Sequence, residues 1–245
     1  INKELETEVY TVYKEDEDLI EDINNNANTN HANAADKNID PNEPNQILPY
    51  LYLGSKISAS NLELLQEVGI THIINCAKEI PNYFEDYDMD IPSPNEDETL
   101  NYKSKLFKRF IKYLSLKQDD RMDQLMHKQF PIVIDFIDNA REENVNNKIF
   151  VHCQAGISRS ATNVIAYLMA REDMSLKEAF IHTKACRHQI GPNLGFMEQL
   201  MKYEKQLFSI SKTTFSMKEY YVASLVQMGI KEEIAVKAIE LSDGR

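Results

Sequence analysis

The spacing of apolar and polar positions changes several times along the chain. Ile47 to Leu53 is densely apolar and stops at Gly54, which predicts a strand, whereas Asn61 to Val68 has helical spacing closed by Gly69. Thr71 to Cys76 is β-branched and predicts a second strand, and Tyr113 to Leu116 a third. Pro131 suits the first turn of a helix that carries Ile132, Val133, Phe136, Ile137 and Ala140 on one face. Lys148 to His152 reads as a short buried strand. Three helical stretches follow: one bearing Val164, Ile165, Leu168 and Met169, one opened by the capping box Ser175-x-x-Glu178, and one from Leu194 to Leu207. Strands alternating with helices predict an α/β fold, a central and mostly parallel sheet flanked by helices.

The pattern weakens at both ends. Residues 1–22 are acidic with scattered aromatics, and 23–46 are rich in asparagine; neither buries enough apolar surface to offset its ordering entropy. Residues 1–46 therefore read as flank and linker, and 47–208 as the folded domain, with 85–111 as an irregular stretch that is first acidic and then basic. Beyond Ser211, residues 212–245 predict a helical hairpin. A second capping box, Ser216-x-x-Glu219, opens it, and Met228-Gly229-Ile230 breaks it before Lys231 to Leu241. That hairpin is too short to be stable alone.

Composition narrows the function. With 42% hydrophobic residues in 245, the chain can build a real core. No apolar run reaches the ~20 residues that span a bilayer. A net charge of −12 disfavours general binding to nucleic acid or anionic membrane, so any anionic ligand needs a local site. Cys76, Cys153 and Cys186 lack zinc spacing and read as free thiols of a reducing compartment, the cytoplasm or nucleus. The chain starts at Ile1 and reads as a piece of something longer, so a missing signal peptide carries little weight.

The local site is His152-Cys153-Gln154-Ala155-Gly156-Ile157-Ser158-Arg159-Ser160, between a strand and a helix. A loop entering a helix N-terminus turns backbone N–H groups into an anion-binding nest, here contributed by residues 154–158. Gly156 permits the tight backbone path. Arg159 offers a planar fork for two phosphate oxygens. Cys153 should be a thiolate near neutral pH in that field, a nucleophile in line with a bound phosphorus, with Ser160 donating to its sulfur when it leaves. Were Cys153 a core thiol and Arg159 an exposed helix residue, five specified residues would share this spacing by chance, about one time in ten thousand.

His-Cys-x-x-Gly-x-x-Arg-Ser resembles the signature loop of the cysteine-dependent protein tyrosine phosphatases. The wider sequence is similar to their dual-specificity branch, especially the catalytic domains of MAP-kinase phosphatases. The matching phrases are Tyr52-Leu53-Gly54-Ser55, Gly69-Ile70-Thr71-His72, Ala166-Tyr167-Leu168-Met169 and Pro192-Asn193-Leu194-Gly195-Phe196. The resemblance implies hydrolysis of phosphotyrosine and phosphoserine or phosphothreonine in proteins through a phosphocysteine, without metal or cofactor.

It also implies a carboxyl group that protonates the leaving oxygen and then activates water, a little over thirty residues before the cysteine. Two registers compete. Asp97 follows Ile91-Pro92, while Asp120 follows a predicted strand and lies 33 residues before Cys153. We prefer Asp120, because that register keeps the strand beside the acid; Asp119 and Asp123 are then solvated loop charges. It makes 85–111 an insertion, a departure from the family pattern. Asn193 resembles the family's asparagine that braces the phosphate loop, which is compatible with a helix N-cap. His152 is expected to orient the loop and support the thiolate.

Lys108-Arg109 before Leu114-x-Leu116 matches a kinase-docking pattern, although those leucines read better as core strand residues. The substrate implied is a phosphorylated protein, a MAP kinase among the candidates. The tail resembles the first two helices of a ubiquitin-associated domain, implying a ubiquitin contact; a hairpin packed on the catalytic domain fits equally. Two rivals remain: a phosphate-binding adaptor with a vestigial site, and a phosphoinositide phosphatase, whose polyanionic headgroup would favour lysines that this loop lacks.

Overall fold

A computed structural model describes residues 42–85 and 111–242. The N-terminal flank to residue 41, Asp97, Lys108-Arg109 and nearly all of the expected insertion lie outside them. The run expected as one strand from Ile47 to Leu53 is two: β1 (Asn45–Leu48) and β2 (Leu51–Gly54), antiparallel across a turn at Pro49-Tyr50. Pro49 has no N–H to give a ladder and a fixed φ, so the chain reverses where the apolar pattern runs on. β3 (His72–Ala77), β4 (Lys112–Gln118) and β5 (Ile149–His152) complete a sheet of order β1-β2-β5-β3-β4, parallel from β2 onward.

Helices cover both faces, which explains why the central strands read as continuous apolar runs. The two-residue alternation of side chains sorts them into two cores. Leu51, Leu53, Ile74, Ile149 and Val151 face α3 (Phe130–Glu143), α4 (Arg159–Arg171), α5 (Leu176–Cys186) and α6 (Leu194–Leu207). Tyr52, Ile73 and Phe150 face Ala59 of α1 (Lys56–Ser60) and Leu65 of α2 (Leu62–Val68). Each fully buried aliphatic side chain contributes roughly 1.5–3 kcal/mol by leaving water. In α3 the buried stripe is Val133, Ile134, Ile137 and Ala140, whereas Ile132, expected on it, is 48% exposed. Pro131 starts the helix as expected, and Phe130 beside it is buried against Tyr203. Leu116 is buried and Leu114 packs on the same core, so this pair is committed to the sheet.

Both expected capping boxes form, at the starts of α5 and α7 (Met217–Gln227), and α8 (Glu232–Ser242) packs back on α7. The linker before α7 docks through a fully buried carboxylate. Glu204 accepts from the Leu176 and Thr214 amides at 2.7 and 2.9 Å and from the hydroxyls of Thr213 and Thr214, each at 2.5 Å. Phe215 and Tyr220 are buried against Phe180, and Lys177 pairs with Glu219 at 3.0 Å.

Candidate active site

β5 ends at His152 and α4 begins at Arg159, so residues 153–158 form a loop over a helix N-terminus. Its carbonyls are turned outward and tied. Gln154 O accepts from Lys56 N at 3.2 Å, Ala155 O and Gly156 O from the Arg187 guanidinium at 3.1 and 2.9 Å, and Ile157 O from Gly191 N at 3.0 Å. In a trans peptide the N–H points opposite to the C=O, so the following amides are aimed into the loop. Gly156 has φ +69°, and a Cβ there would lie 2.5 Å from Gly54 O. The turn therefore requires glycine.

Cys153, 1% exposed, sits at the base of this nest and accepts a hydrogen bond from Ser160 Oγ at 3.1 Å. The charges of both Arg159 and Arg187 act on it. Arg187 is fully buried beneath the loop, and desolvation pushes its pKa down to about 10, with Cys153 opposing. His152 stacks on Phe150 at 5.6 Å; burial pushes its pKa down to about 4, so the ring is neutral at physiological pH.

The Arg159 side chain is nearly buried and held at three places. Its terminal nitrogens donate to Glu79 at 2.8 and 2.6 Å, and Nη1 also donates to Gln118 O at 3.1 Å. Nε forms an ion pair with Asp120 Oδ2 at 3.6 Å and makes no hydrogen bond among the described residues, so its N–H donor is unspent. Burial works against the charge, but Glu79, Cys153 and Asp120 outweigh it and hold the guanidinium above its ordinary pKa. Glu79 is held below its ordinary value, chiefly by its hydrogen bond to Arg159.

Asp120 follows β4 directly and reaches the loop. Its Oδ1 accepts from Ser158 Oγ at 2.8 Å and from Asn193 Nδ2 at 2.9 Å, leaving Oδ2 toward Arg159. Asn193 is the N-cap of α6, accepting from Phe196 N at 3.1 Å, while its own N–H donates to Ser158 Oγ at 3.2 Å. One asparagine thus caps a helix and ties both the loop and the carboxylate. Gly195 lets the 121–125 segment lie on α6, since a Cβ there would clash with the backbone of Met122. Asp119 and Asp123 instead form surface ion pairs, with Lys78 at 3.5 Å and Arg121 at 3.0 Å.

Every site residue expected from the sequence within the described segments comes together here. Glu79, Gln118, Asn163 and Arg187 were not expected. Asn163 joins Gln118 Oε1 at 3.0 Å to Arg159 O at 2.9 Å and Cys76 Sγ at 3.4 Å, linking the end of β4 to α4. Asn75 shapes the turn that delivers Glu79, donating to Ile80 O at 2.7 Å and Asn82 Oδ1 at 2.9 Å. Polar residues inside apolar strands were the available signal, at Asn75 and Gln118. Among the described residues no cluster of His, Cys, Asp and Glu could hold a metal ion.

Comparison with known proteins meets this geometry independently. The family described as dual specificity phosphatase, catalytic domain, matches residues 51–206. Human dual specificity protein phosphatase 1 is 38% identical over 170 residues, 69% of this chain and 40% of that protein. Human dual specificity protein phosphatase 6 is 37% identical over 170 residues, 69% of this chain and 39% of that one. The chain therefore spans about two fifths of the length of these relatives. Among solved structures, the human tyrosine phosphatase-like serine/threonine/tyrosine-interacting protein is 35% identical, with TM-score 0.54 over 68% of this chain and 99% of that one. Human DUSP28 is 25% identical, with TM-score 0.54 over 67% of this chain and 95% of that one. A loop with its carbonyls tied outward over the buried Cys153 thiol and a family match spanning that loop agree: the chain belongs to the dual specificity phosphatase catalytic domain family.

Proposed function

We propose that this chain hydrolyses phosphotyrosine and phosphoserine or phosphothreonine in proteins through a phosphocysteine. The observation that carries the reading is Cys153 at the base of a loop whose carbonyls are tied outward, with Arg159 and Asp120 on its rim. The loop amides and Arg159 Nε hold the equatorial oxygens of a loose phosphoryl transition state. Cys153 Sγ attacks phosphorus while the ester P–O bond breaks, and protonated Asp120 gives its proton to the leaving oxygen. The Asp120 carboxylate then takes a proton from water, whose oxygen attacks phosphorus. The S–P bond breaks, Ser160 stabilises the departing thiolate, and inorganic phosphate leaves.

Cys153→Ser should abolish turnover yet retain phosphopeptide binding; full residual activity would sink the assignment. A panel of phosphotyrosine, phosphothreonine, doubly phosphorylated peptide and phosphoinositide resolves the substrate class, with proteins preferred because residues 154–158 carry no lysine. An adaptor role predicts binding without turnover on the whole panel.

The proposal of a MAP kinase among the substrates rests on the resemblance of the signature loop and its flanking phrases to MAP-kinase phosphatases. For ubiquitin, the supporting observation is Met228, 77% exposed beside Gly229 at the turn between α7 and α8. A cytoplasmic or nuclear setting fits the three free thiols, one of which must stay reduced to react.

A further inference from the structure

We propose that α7, which lies beyond the matched catalytic segment, is part of the catalytic scaffold, with Tyr220 as a positioning residue for the acid Asp120. The inference rests on the phosphatase reading and adds a residue to it. Residues 190–193 are the segment through which α7 acts. On one side they carry the brace of the site: Gly191 N ties Ile157 O, Asn193 N–H donates to Ser158 Oγ, and Asn193 Nδ2 donates to Asp120. On the other side they are held from α7 twice. The buried Tyr220 hydroxyl donates to Pro192 O, one residue from Asn193. Lys184 Nζ bridges Ile190 O at 2.7 Å and Gln227 Oε1 at 2.6 Å, so the far end of α7 grips the start of the same segment.

This contact is specific in chemistry as well as place. Pro192 and the residue before it lack the backbone freedom to seek another partner, because proline fixes its own φ and restricts its predecessor. The carbonyl of Pro192 is met by a hydroxyl whose ring is locked between Phe180 at 5.7 Å and Phe215 at 6.2 Å. The ring is fixed again through the linker, whose Thr213 and Thr214 are bound by Glu204. A rigid chain of contacts therefore runs from α7 through Pro192 and Asn193 to Asp120. Loss of the hydroxyl should let Asn193 drift and mis-aim the carboxylate, while leaving the nest and Cys153 in place.

The test is Tyr220→Phe in the full chain, which keeps the ring packing and removes one hydrogen bond. Turnover is compared on para-nitrophenyl phosphate, whose leaving group needs little protonation, and on phenyl phosphate, which depends on the acid. The expected result is a loss of about 3- to 30-fold on phenyl phosphate and less than about twofold on the nitrophenyl ester. In an Asp120→Asn background the same substitution should add nothing on phenyl phosphate. Gln227→Ala, at the exposed end of α7, should reproduce the pattern more weakly and serves if Tyr220→Phe fails to fold. An equal loss on both esters, or none on either, overturns the proposal. If the unsubstituted chain hydrolyses neither ester, the phosphatase reading fails instead. Amide exchange at Ile190, Gly191 and Asn193 then decides the coupling: faster exchange there in Tyr220→Phe, with 154–158 unchanged, supports it, and unchanged protection at 190–193 overturns it.

Discussion

Glu79 grips Arg159 by both terminal nitrogens, at 2.6 and 2.8 Å, although Arg159 is the cation aimed at the phosphate nest. The pair is asymmetric: the arginine is 4% exposed, whereas the Glu79 side chain is 48% exposed. Holding the Nη1–Nη2 edge leaves the Nε edge toward the site, where it faces Asp120 Oδ2 as an ion pair at 3.6 Å without closing to a hydrogen bond. An ion pair that would otherwise compete with phosphate instead sets which edge phosphate meets.

Glu79→Ala should therefore lower kcat/KM by about 10- to 100-fold, because Arg159 is then free to close its 3.6 Å ion pair with Asp120 into a direct hydrogen bond and misplace both groups. Glu79→Gln, which keeps the shape and one donor–acceptor contact, should lose less. Steady-state kinetics of the two variants check this; wild-type kcat/KM in the alanine variant would show that Glu79 does not position Arg159. The carboxylate is held below its ordinary value of 4.5 by Arg159, so the pair persists as pH falls to that value and loosens only below it.

Asp120→Asn should cost about 10²- to 10⁴-fold on substrates with poor leaving groups, the usual share of a general acid. Asp97→Asn should leave turnover near wild type. Single-turnover rates for both variants on phenyl phosphate decide between the two registers, and the reverse pattern would put the acid in the 85–111 segment.

Glu204→Ala should destabilise the fold by roughly 1–3 kcal/mol, chiefly because it orphans the buried Leu176 amide, with the donors of Thr213 and Thr214, whose bonds are only part-buried, partly recovered by water. Burial raises the Glu204 pKa, but the four donors outweigh it and hold the value below its ordinary 4.5. A depressed folded pKa contributes stability that is fully present above the unfolded value and lost as pH falls through the folded one. Urea midpoints of wild type and Glu204→Gln should therefore differ most at neutral pH and converge only in acid, as pH falls below the ordinary 4.5. A gap that widens on acidification would contradict the sign.

The phosphate loop was legible because all its parts are local. Cys153, Gly156, Arg159 and Ser160 sit within one strand-to-helix turn, and backbone geometry alone brings their groups to one point. Asn193 was legible as a cap, because its helix needs an acceptor for the Phe196 amide wherever it packs. Asp120 was legible only as one of two registers. Glu79 left only an indirect sign, the polar Asn75 inside a buried strand, since it lies 80 residues from Arg159 on a turn that follows a different strand. Pro49 was visible, yet the apolar run through it concealed the reversal between β1 and β2.

What the sequence alone determined is chemistry at short range: periodicity that names the elements, capping boxes that start α5 and α7, and a loop whose glycine, arginine and thiol suit a phosphate. Tertiary structure decided everything that depends on which distant segments meet. Parallel pairing of β3 with β4 and β5 brings Glu79 and Asp120 to the same end of the sheet as Cys153. Packing of α5 beneath the loop buries Arg187 under its carbonyls, and docking of α7 sets Tyr220 on Pro192. Local periodicity reports which face of an element is apolar, because that is a property of one segment. Partners eighty residues apart are chosen by the closure of the whole core, which no single segment encodes.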